Sequence, residues 1–266
     1  MCFLTENGHP NRGGKAIFNI LMKIGRLNPI NPDPIMLIDY NDIVIIVGNY
    51  GSGKTEVSIN LAVTEKLAGK NVHLADLDLV NPYFRTREAR KELRTLGIEV
   101  VLPAEQYMKA DLPILTPGVS AMIRKKEILA ILDVGGDGVG ATVLSALADA
   151  LKDRPVKILQ VINPFRPYTN TPEGCAKIRT DIEMNSKLKI TGIISNANMM
   201  QETTIDHIQE GYSFVARMAE QSGLPVEFIT IPDAIRNTND MTQFSCPLLT
   251  IKRQLVPPWL QAEELS

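Results

Sequence analysis

GNYGSGKT, at residues 48–55, is the stretch of sequence that decides the fold. It matches G-x-x-x-x-G-K-[ST], the phosphate-binding P-loop pattern. The run at 43–47 that precedes it is entirely β-branched, which predicts a strand buried on both faces of a parallel sheet. Residues 56–68 follow without glycine or proline and end at Gly69, which predicts a helix with a C-terminal glycine. Strand, glycine loop and helix in this order form the context that a functional P-loop requires.

The loop residues have distinct predicted roles. Its glycines allow successive backbone N–H groups to surround a phosphate, and the helix N-terminus adds a partial positive charge. Lys54 is predicted to contact the β- and γ-phosphates, and the Thr55 hydroxyl to bind Mg²⁺. A second Gly-Gly-Lys, at 13–15, lacks a preceding strand and is not a candidate. The predicted nucleotide-binding residues of this stretch are Gly48, Asn49, Tyr50, Gly51, Ser52, Gly53, Lys54, Thr55 and Glu56.

Length and composition indicate one large globular α/β domain. The 266 residues are 44% hydrophobic and 22% charged, which is ordinary for a protein with a well-buried core. The formal charge is −2, from 28 Lys and Arg against 30 Asp and Glu. This balance gives no overall attraction to nucleic acid or to an acidic membrane surface.

Cysteine usage and hydropathy predict a cytoplasmic protein. The chain has three cysteines, Cys2, Cys175 and Cys246, which lie far apart in the sequence. An odd number at this spacing argues against a disulfide scaffold and against a cysteine-pair metal site. The polar N-terminus has no signal-peptide core, and no apolar run has the length of a membrane span.

The first 35 residues differ from the rest of the chain. Their opening is polar, and Pro29, Pro32 and Pro34 predict an extended arm. Residues 36–266 are predicted to form a single P-loop nucleotide-binding domain.

Strands and helices alternate through this domain. This pattern predicts an α/β fold, with a doubly wound, mostly parallel sheet flanked by helices. Residues 104–126 are predicted to cover the site as a loop plus a short helix, and the proline-rich tail to contain one more helix. The further predicted strands are 71–75, 98–102, 128–132, 156–162, 188–194 and 226–231, and the further predicted helices are 85–96, 141–151, 171–184 and 203–221.

Polar residues follow several predicted strands, where an open parallel sheet binds its ligands. Asp133 is predicted to bind Mg²⁺ directly or through water, and Gly136 to offer its N–H to a γ-phosphate. Asp76 and Asp78 are predicted to orient the attacking water and the magnesium shell. The alternatives are structural: a strand-end turn at Asp133, a solvated turn or helix cap at Asp76 and Asp78, and a cap at Asp137. The predicted catalytic residues are Lys54, Asp76, Asp78 and Asp133, and the predicted metal ligands are Thr55, Asp76 and Asp133.

The order of five motifs resembles the MinD/ParA-type P-loop ATPases of the SIMIBI class. The motifs are GNYGSGKT, ADLDLVNP, ILDVGGDG, IISNAN and ITIPDA, and the resemblance covers about residues 40–235. It implies that ATP and Mg²⁺ are the cofactors and that the protein is an ATPase acting as a nucleotide-dependent switch or as an assembly or maturation factor. It also implies that Asp133 is the Walker B aspartate and Gly136 the switch glycine.

The same resemblance assigns the base-binding residues. Asn196 is similar to the asparagine that hydrogen-bonds adenine. Pro232 and Asp233 are similar to the loop that packs against the base. A side-chain amide suits adenine because it both donates and accepts. No N-K-x-D guanine signature occurs in the chain, which favours ATP over GTP.

One departure from the family pattern affects the predicted mechanism. The family's K-G-G-x-G-K-[ST] loop carries a lysine that crosses a dimer interface, and here Asn49 and Tyr50 occupy the lysine and first-glycine positions. Asn49 has no charge to offset the charge that develops on a γ-phosphate. The sequence therefore predicts weak hydrolysis by the isolated protein, and it argues against the family's homodimer mechanism without excluding a homodimer.

Several alternative functions stay open at this level. They are a SIMIBI-type GTPase for metal-centre assembly, a small-molecule kinase or ligase with an acceptor pocket in residues 104–127, and a nucleotide-binding module without turnover. The predicted partners are ATP or ADP, a second copy of the chain and an unidentified protein, with no strong sign of nucleic acid or membrane.

Overall fold

The computed structural model describes residues 40–78, 86–102, 117–136, 138–152, 154–256 and 262–265. The predicted arm at 1–35, the predicted cap at Asp137 and most of the predicted covering segment lie outside these residues.

One eight-stranded sheet organises the described chain, with the strand order β3-β2-β4-β1-β5-β6-β7-β8. Every neighbouring pair is parallel. The α/β prediction of a parallel sheet flanked by helices is therefore confirmed. The strands are β1 Ile43–Gly48, β2 Val72–Leu77, β3 Glu99–Val101, β4 Leu129–Val134, β5 Val156–Ile162, β6 Gly192–Ser195, β7 Val226–Pro232 and β8 Leu248–Ile251.

Helices connect these strands, and two of them begin at side-chain caps. The Thr171 hydroxyl accepts a hydrogen bond from the Gly174 N–H with Pro172 following it, and Thr204 forms a reciprocal cap with His207. The helices are α1 Lys54–Leu67, α2 Arg90–Thr95, α3 Pro117–Arg124, α4 Gly138–Leu151, α5 Pro172–Ser186, α6 Ile205–Ser222 and α7 Asp233–Arg236, with 3-10 turns at Thr86–Ala89 and Met200–Glu202.

The core lies on both faces of the sheet. Val44 and Ile46 of β1 belong to the cluster that contains Leu61 of α1, whereas Ile45 belongs to the opposite cluster with Leu147 of α4. Successive side chains of a strand point to opposite faces, so a strand that is covered on both sides has no solvent-exposed position. This explains why β1, β2 and β4 are buried at every residue.

The tail differs from its prediction. The expected helix is wrong for the described residues, because Leu248–Ile251 instead forms β8 and pairs with the edge of β7. A run of four residues, three of them apolar, does not distinguish a strand from a helix, and pairing with an open sheet edge decides between the two. Several boundaries also differ from the prediction. For example, α4 begins at Gly138, and β6 begins at Gly192, after Thr191 has bonded to Ile158 of β5.

The topology places the P-loop at the switch point of the sheet. From β1 the chain passes to β2 on one side, and the later strands from β5 onward extend to the other side. The loop after β1 therefore opens into the crevice where parallel α/β sheets bind ligands. Among the described residues, no helix combines the length and the apolar character needed to cross a membrane.

Candidate functional site

The segment between β1 and α1 folds as a compact loop. Gly48, Gly51 and Gly53 have φ values of 149°, 71° and 89°. The Ser52 N–H donates to the Asn49 carbonyl at 3.2 Å, and the Lys54 amine donates to the same carbonyl at 3.3 Å. Lys54 therefore folds back over the loop, and its charge lies beside the Asn49 carbonyl.

Asn196 supports the loop from the neighbouring part of the sheet. Its side-chain amide donates to the Ser52 carbonyl at 2.6 Å, and its oxygen accepts from the Thr230 hydroxyl. A Cβ on Gly53 would collide with the same amide nitrogen, which explains why this left-handed position holds glycine. Asn196 thus fixes the P-loop, and its contact with adenine stays a prediction.

Gly136 lies directly against the P-loop. A Cβ at this position would overlap the Gly48 carbonyl and would lie 2.9 Å from the Asn49 carbonyl carbon and 3.0 Å from the Tyr50 nitrogen. Gly136, two residues after β4, must therefore be glycine for the two backbones to approach each other. This places Gly136 beside the loop, and its predicted contact with a γ-phosphate is not tested by this packing.

The predicted carboxylates lie at one edge of the sheet. Asp76 and Asp133 are register partners on the adjacent strands β2 and β4, and both side chains are fully buried. The buried Asp78 follows β2, and its backbone N–H donates to Asp76 Oδ1 at 3.2 Å. Parallel pairing therefore brings together carboxylates that lie far apart in sequence.

Asp133 has an unusual electrostatic environment. Burial and, after it, the neighbouring charge of Asp76 raise the pKa of Asp133 to about 7, whereas Lys54 and the nearby hydroxyls of Thr55 and Thr86 oppose this shift. Thr86 donates to Oδ2 at 2.9 Å. The other oxygen, Oδ1, is buried and has no geometrically well-formed hydrogen bond within the described residues.

These groups fit a magnesium ion. Mg²⁺ prefers hard oxygen ligands and usually combines one or two carboxylates with the phosphates of a bound nucleotide and with water. Asp133 Oδ1 and the Thr55 hydroxyl are oxygen ligands of this kind beside the P-loop. Within the described ranges, no group of three or more His, Cys, Asp or Glu side chains is arranged to hold a metal by itself.

The loop after β5 lies beside the P-loop and is bonded to it. The Asn49 side-chain amide donates to the Pro167 carbonyl at 3.1 Å. The Thr169 hydroxyl donates to the Asn163 carbonyl at 2.6 Å and closes this loop on itself. Tyr168 has a φ of 67° and is 75% exposed, and Tyr50 is 72% exposed. Asn49 stands where the MinD/ParA-type pattern has a lysine, and its side chain therefore bonds to a neighbouring loop.

The predicted base-binding residues follow β6 and β7, which are adjacent strands. Pro232 ends β7 and Asp233 begins α7, where the Asn237 amide donates to Asp233 Oδ2 at 3.1 Å. They lie at the same sheet edge as Asn196, and their contact with a base stays a prediction.

The Glu56 side chain is directed away from the P-loop. Its carboxylate accepts hydrogen bonds from the backbone N–H groups of Gln254 and Leu255, the latter at 3.1 Å. Asn60, one turn later, exchanges two hydrogen bonds with the Lys252 backbone. Burial raises the pKa of Glu56 to about 7, although the two backbone donors oppose this shift. We therefore expect Glu56 to contact a nucleotide only through its backbone, which lies in the first turn of α1.

Sequence reasoning missed three supporting groups: Thr86, the Pro167 carbonyl and Thr230. A backbone carbonyl carries no sequence signal, and Thr230 lies within an ordinary apolar strand. Thr86 offered a weak signal, since it is a small hydroxyl residue in the charged stretch RTREAR.

Comparisons with known proteins identify the fold. No protein-family model matches the chain, and no curated protein matches it. The structure of cell division protein FtsY from Thermotoga maritima is similar, with a TM-score of 0.51 and 20% identity over 85% of this chain and 72% of that one. At this identity the similarity supports the α/β fold alone.

Two further solved structures show weaker similarity. The signal recognition particle 54 kDa protein from Aeropyrum pernix K1, in complex with GDP, has a TM-score of 0.49 and 21% identity over 81% of this chain. The chain spans only 46% of that protein. A nucleotide-binding protein from Archaeoglobus fulgidus, in complex with ADP, has a TM-score of 0.45 and 17% identity over 74% of this chain and 84% of that one.

Proposed function

We propose that this chain is a magnesium-dependent P-loop nucleotide hydrolase that acts as a nucleotide-dependent switch or as an assembly factor. The observation that carries the proposal is the meeting of the P-loop with the buried carboxylate of Asp133, whose Oδ1 has no well-formed hydrogen bond within the described part of the chain. Lys54 supplies positive charge at the same place and lowers the pKa of Asp133. A bound phosphate would pair with Lys54, and a bound Mg²⁺ would be the partner of Asp133 Oδ1.

ATP is the proposed nucleotide. The proposal rests on the missing N-K-x-D signature and on the position of Asn196 at the carboxyl end of β6. Each bond made by Asn196 leaves capacity for another partner, since a side-chain amide has two donors and its oxygen has two lone pairs.

In the proposed mechanism each group has a limited task. Lys54 and the loop N–H groups would bind the phosphates, Thr55 and Asp133 would hold Mg²⁺, and Asp76 or Asp78 would orient the attacking water. Bound Mg²⁺ supplies charge neutralisation on the transferring phosphoryl group. We assign the water to Asp78, because it lies beyond the end of β2, whereas Asp76 lies within the strand as the register partner of Asp133.

A binding module without turnover is the second candidate. Asn49 favours it, because its amide bonds to the Pro167 carbonyl and carries no charge. A homodimer and a protein partner remain proposals, and either could supply the missing positive charge.

The test is calorimetric titration of the protein with ATP and with GTP in the presence of Mg²⁺. We expect ATP to bind more tightly than GTP. Lys54→Ala should weaken binding by about tenfold or more, because it removes a charge-assisted phosphate contact. Lys91→Ala is the matched control, since it removes an exposed lysine of α2.

Each outcome has a defined meaning. Unchanged ATP affinity in folded Lys54→Ala protein would exclude the P-loop as the binding site. Equal or tighter binding of GTP would remove the adenine assignment and favour the GTPase alternative. Formation of ADP that appears only with an added small molecule would favour the kinase or ligase alternative.

A further inference from the structure

Thr86 occupies an unexpected place for its sequence context. It lies between charged neighbours in the sequence, yet its side chain is fully buried at the start of the 3-10 turn Thr86–Ala89. Its hydroxyl donates to Asp133 Oδ2 at 2.9 Å, across 47 residues of sequence. A buried hydroxyl requires a hydrogen-bond partner, and here that partner is the predicted magnesium ligand.

The two oxygens of Asp133 are therefore not equivalent. Oδ2 is held by Thr86, whereas Oδ1 is buried without a well-formed hydrogen bond among the described side chains and backbone groups. The terminal torsion of an aspartate is broad and roughly two-fold, so packing alone defines the orientation of the carboxylate weakly. A donor on one oxygen selects one orientation and leaves the other oxygen available.

We infer that Thr86 is a positioning residue for magnesium: its hydroxyl fixes the Asp133 carboxylate so that Oδ1 is presented to the ion. This inference rests on the proposed function, because it requires a magnesium–nucleotide complex at the P-loop. Hydrogen-bond partners of metal ligands typically contribute about 10–100-fold to metal affinity. Because Thr86 begins the element that follows β2, the bond also links that element to Asp133.

The experiment separates magnesium binding from nucleotide binding. ATP affinity is measured by calorimetry at increasing Mg²⁺ and in excess chelator, for wild type, Thr86→Val and Thr86→Ser. Valine keeps the shape of threonine and removes the donor, whereas serine keeps the donor. We expect the Mg²⁺ midpoint of Thr86→Val to rise by about tenfold or more. Its Mg²⁺-free ATP affinity should stay at the wild-type value, and Thr86→Ser should return the midpoint to within a few-fold of wild type.

The outcomes distinguish the inference from the proposed function. If wild-type ATP binding strengthens with Mg²⁺ and Thr86→Val has the same midpoint, the positioning role is wrong and the proposed function stands. If wild-type ATP binding is indifferent to Mg²⁺, both are wrong. A midpoint that rises equally in Thr86→Ser would also overturn the inference, because the donor would then be irrelevant. Should Thr86→Val fail to fold, Thr86→Ala removes the same donor and is measured in the same titration.

Discussion

Asn196 and Ser52 are joined by a 2.6 Å hydrogen bond that spans 144 residues of sequence. The bond connects the loop after β6 to the middle of the P-loop, and Thr230 of β7 completes it by donating to the Asn196 oxygen. The conformation of the phosphate-binding loop therefore depends on two strands on the far side of β5. We expect this relationship to control nucleotide affinity.

Replacing Asn196 should destabilise the loop. Asn196→Ala leaves the Ser52 carbonyl without its donor and removes the closer of the two acceptors of the Thr230 hydroxyl. Loss of a buried partner costs about 1–3 kcal/mol. Asn196→Asp should be at least as damaging, because a carboxylate cannot donate to a carbonyl. Thermal unfolding and nucleotide titration measure both effects. Asn185→Ala, at an exposed position of α5, is the control, and equal behaviour of the two alanine variants would contradict the prediction.

Gly136→Ala should abolish nucleotide binding by displacing the P-loop. The added methyl group would overlap the Gly48 carbonyl and crowd the backbone of Asn49 and Tyr50. Gly138→Ala is a close control, since a Cβ there has no neighbour within 4 Å. Nucleotide titration of the two folded variants measures the difference. Tight binding by Gly136→Ala would show that the loop moves without cost.

Hydrolysis by the isolated wild-type protein should be slow, because Asn49 supplies no charge to the γ-phosphate. Single-turnover measurements with ATP should show that Asn49→Lys accelerates the reaction, since an added cation in such a position is worth as much as about 10³–10⁵ in rate. Asn185→Lys adds the same charge at a remote surface and should have no effect. Rapid wild-type turnover would mean that another group already provides this charge.

Asp78→Asn should lower turnover more than it lowers ATP affinity, because Asp78 is proposed to orient the attacking water. The substitution keeps the size of the side chain and its backbone N–H, which bonds to Asp76. The rate and the affinity are measured on the same preparation. Equal losses of rate and affinity, or no loss of rate, would assign the water to another residue.

Glu56→Gln should loosen the C-terminal segment from α1. A carboxylate accepts the N–H groups of Gln254 and Leu255 on separate oxygens, whereas a glutamine offers one acceptor oxygen. Hydrogen exchange at these two amides should accelerate. Glu202→Gln, at an exposed position, should leave their exchange unchanged. Unaltered exchange in Glu56→Gln would show that the other contacts of the segment, such as those of Asn60, hold it without Glu56.

The local elements were predictable because local patterns determine them. The β-branched run before Gly48 and the uninterrupted stretch after Lys54 gave β1 and α1, and Thr171 with Pro172 gave the start of α5. The prediction failed at β8, since a short segment of four residues is too brief to specify a helix or a strand, and pairing with an open sheet edge decides its structure.

The sequence by itself determined the P-loop, the alternation of strands and helices, and the residue types at the strand ends. Those features depend on side-chain size, β-branching and glycine at fixed spacing, which are properties of neighbouring residues. Only the tertiary structure decided that Asp133 pairs with Thr86, that Asn196 holds Ser52, and that the Glu56 side chain faces the C-terminal segment. Each of these contacts joins residues separated by 47 or more positions. Strand order brings them together, and strand order is fixed by the packing of the whole sheet.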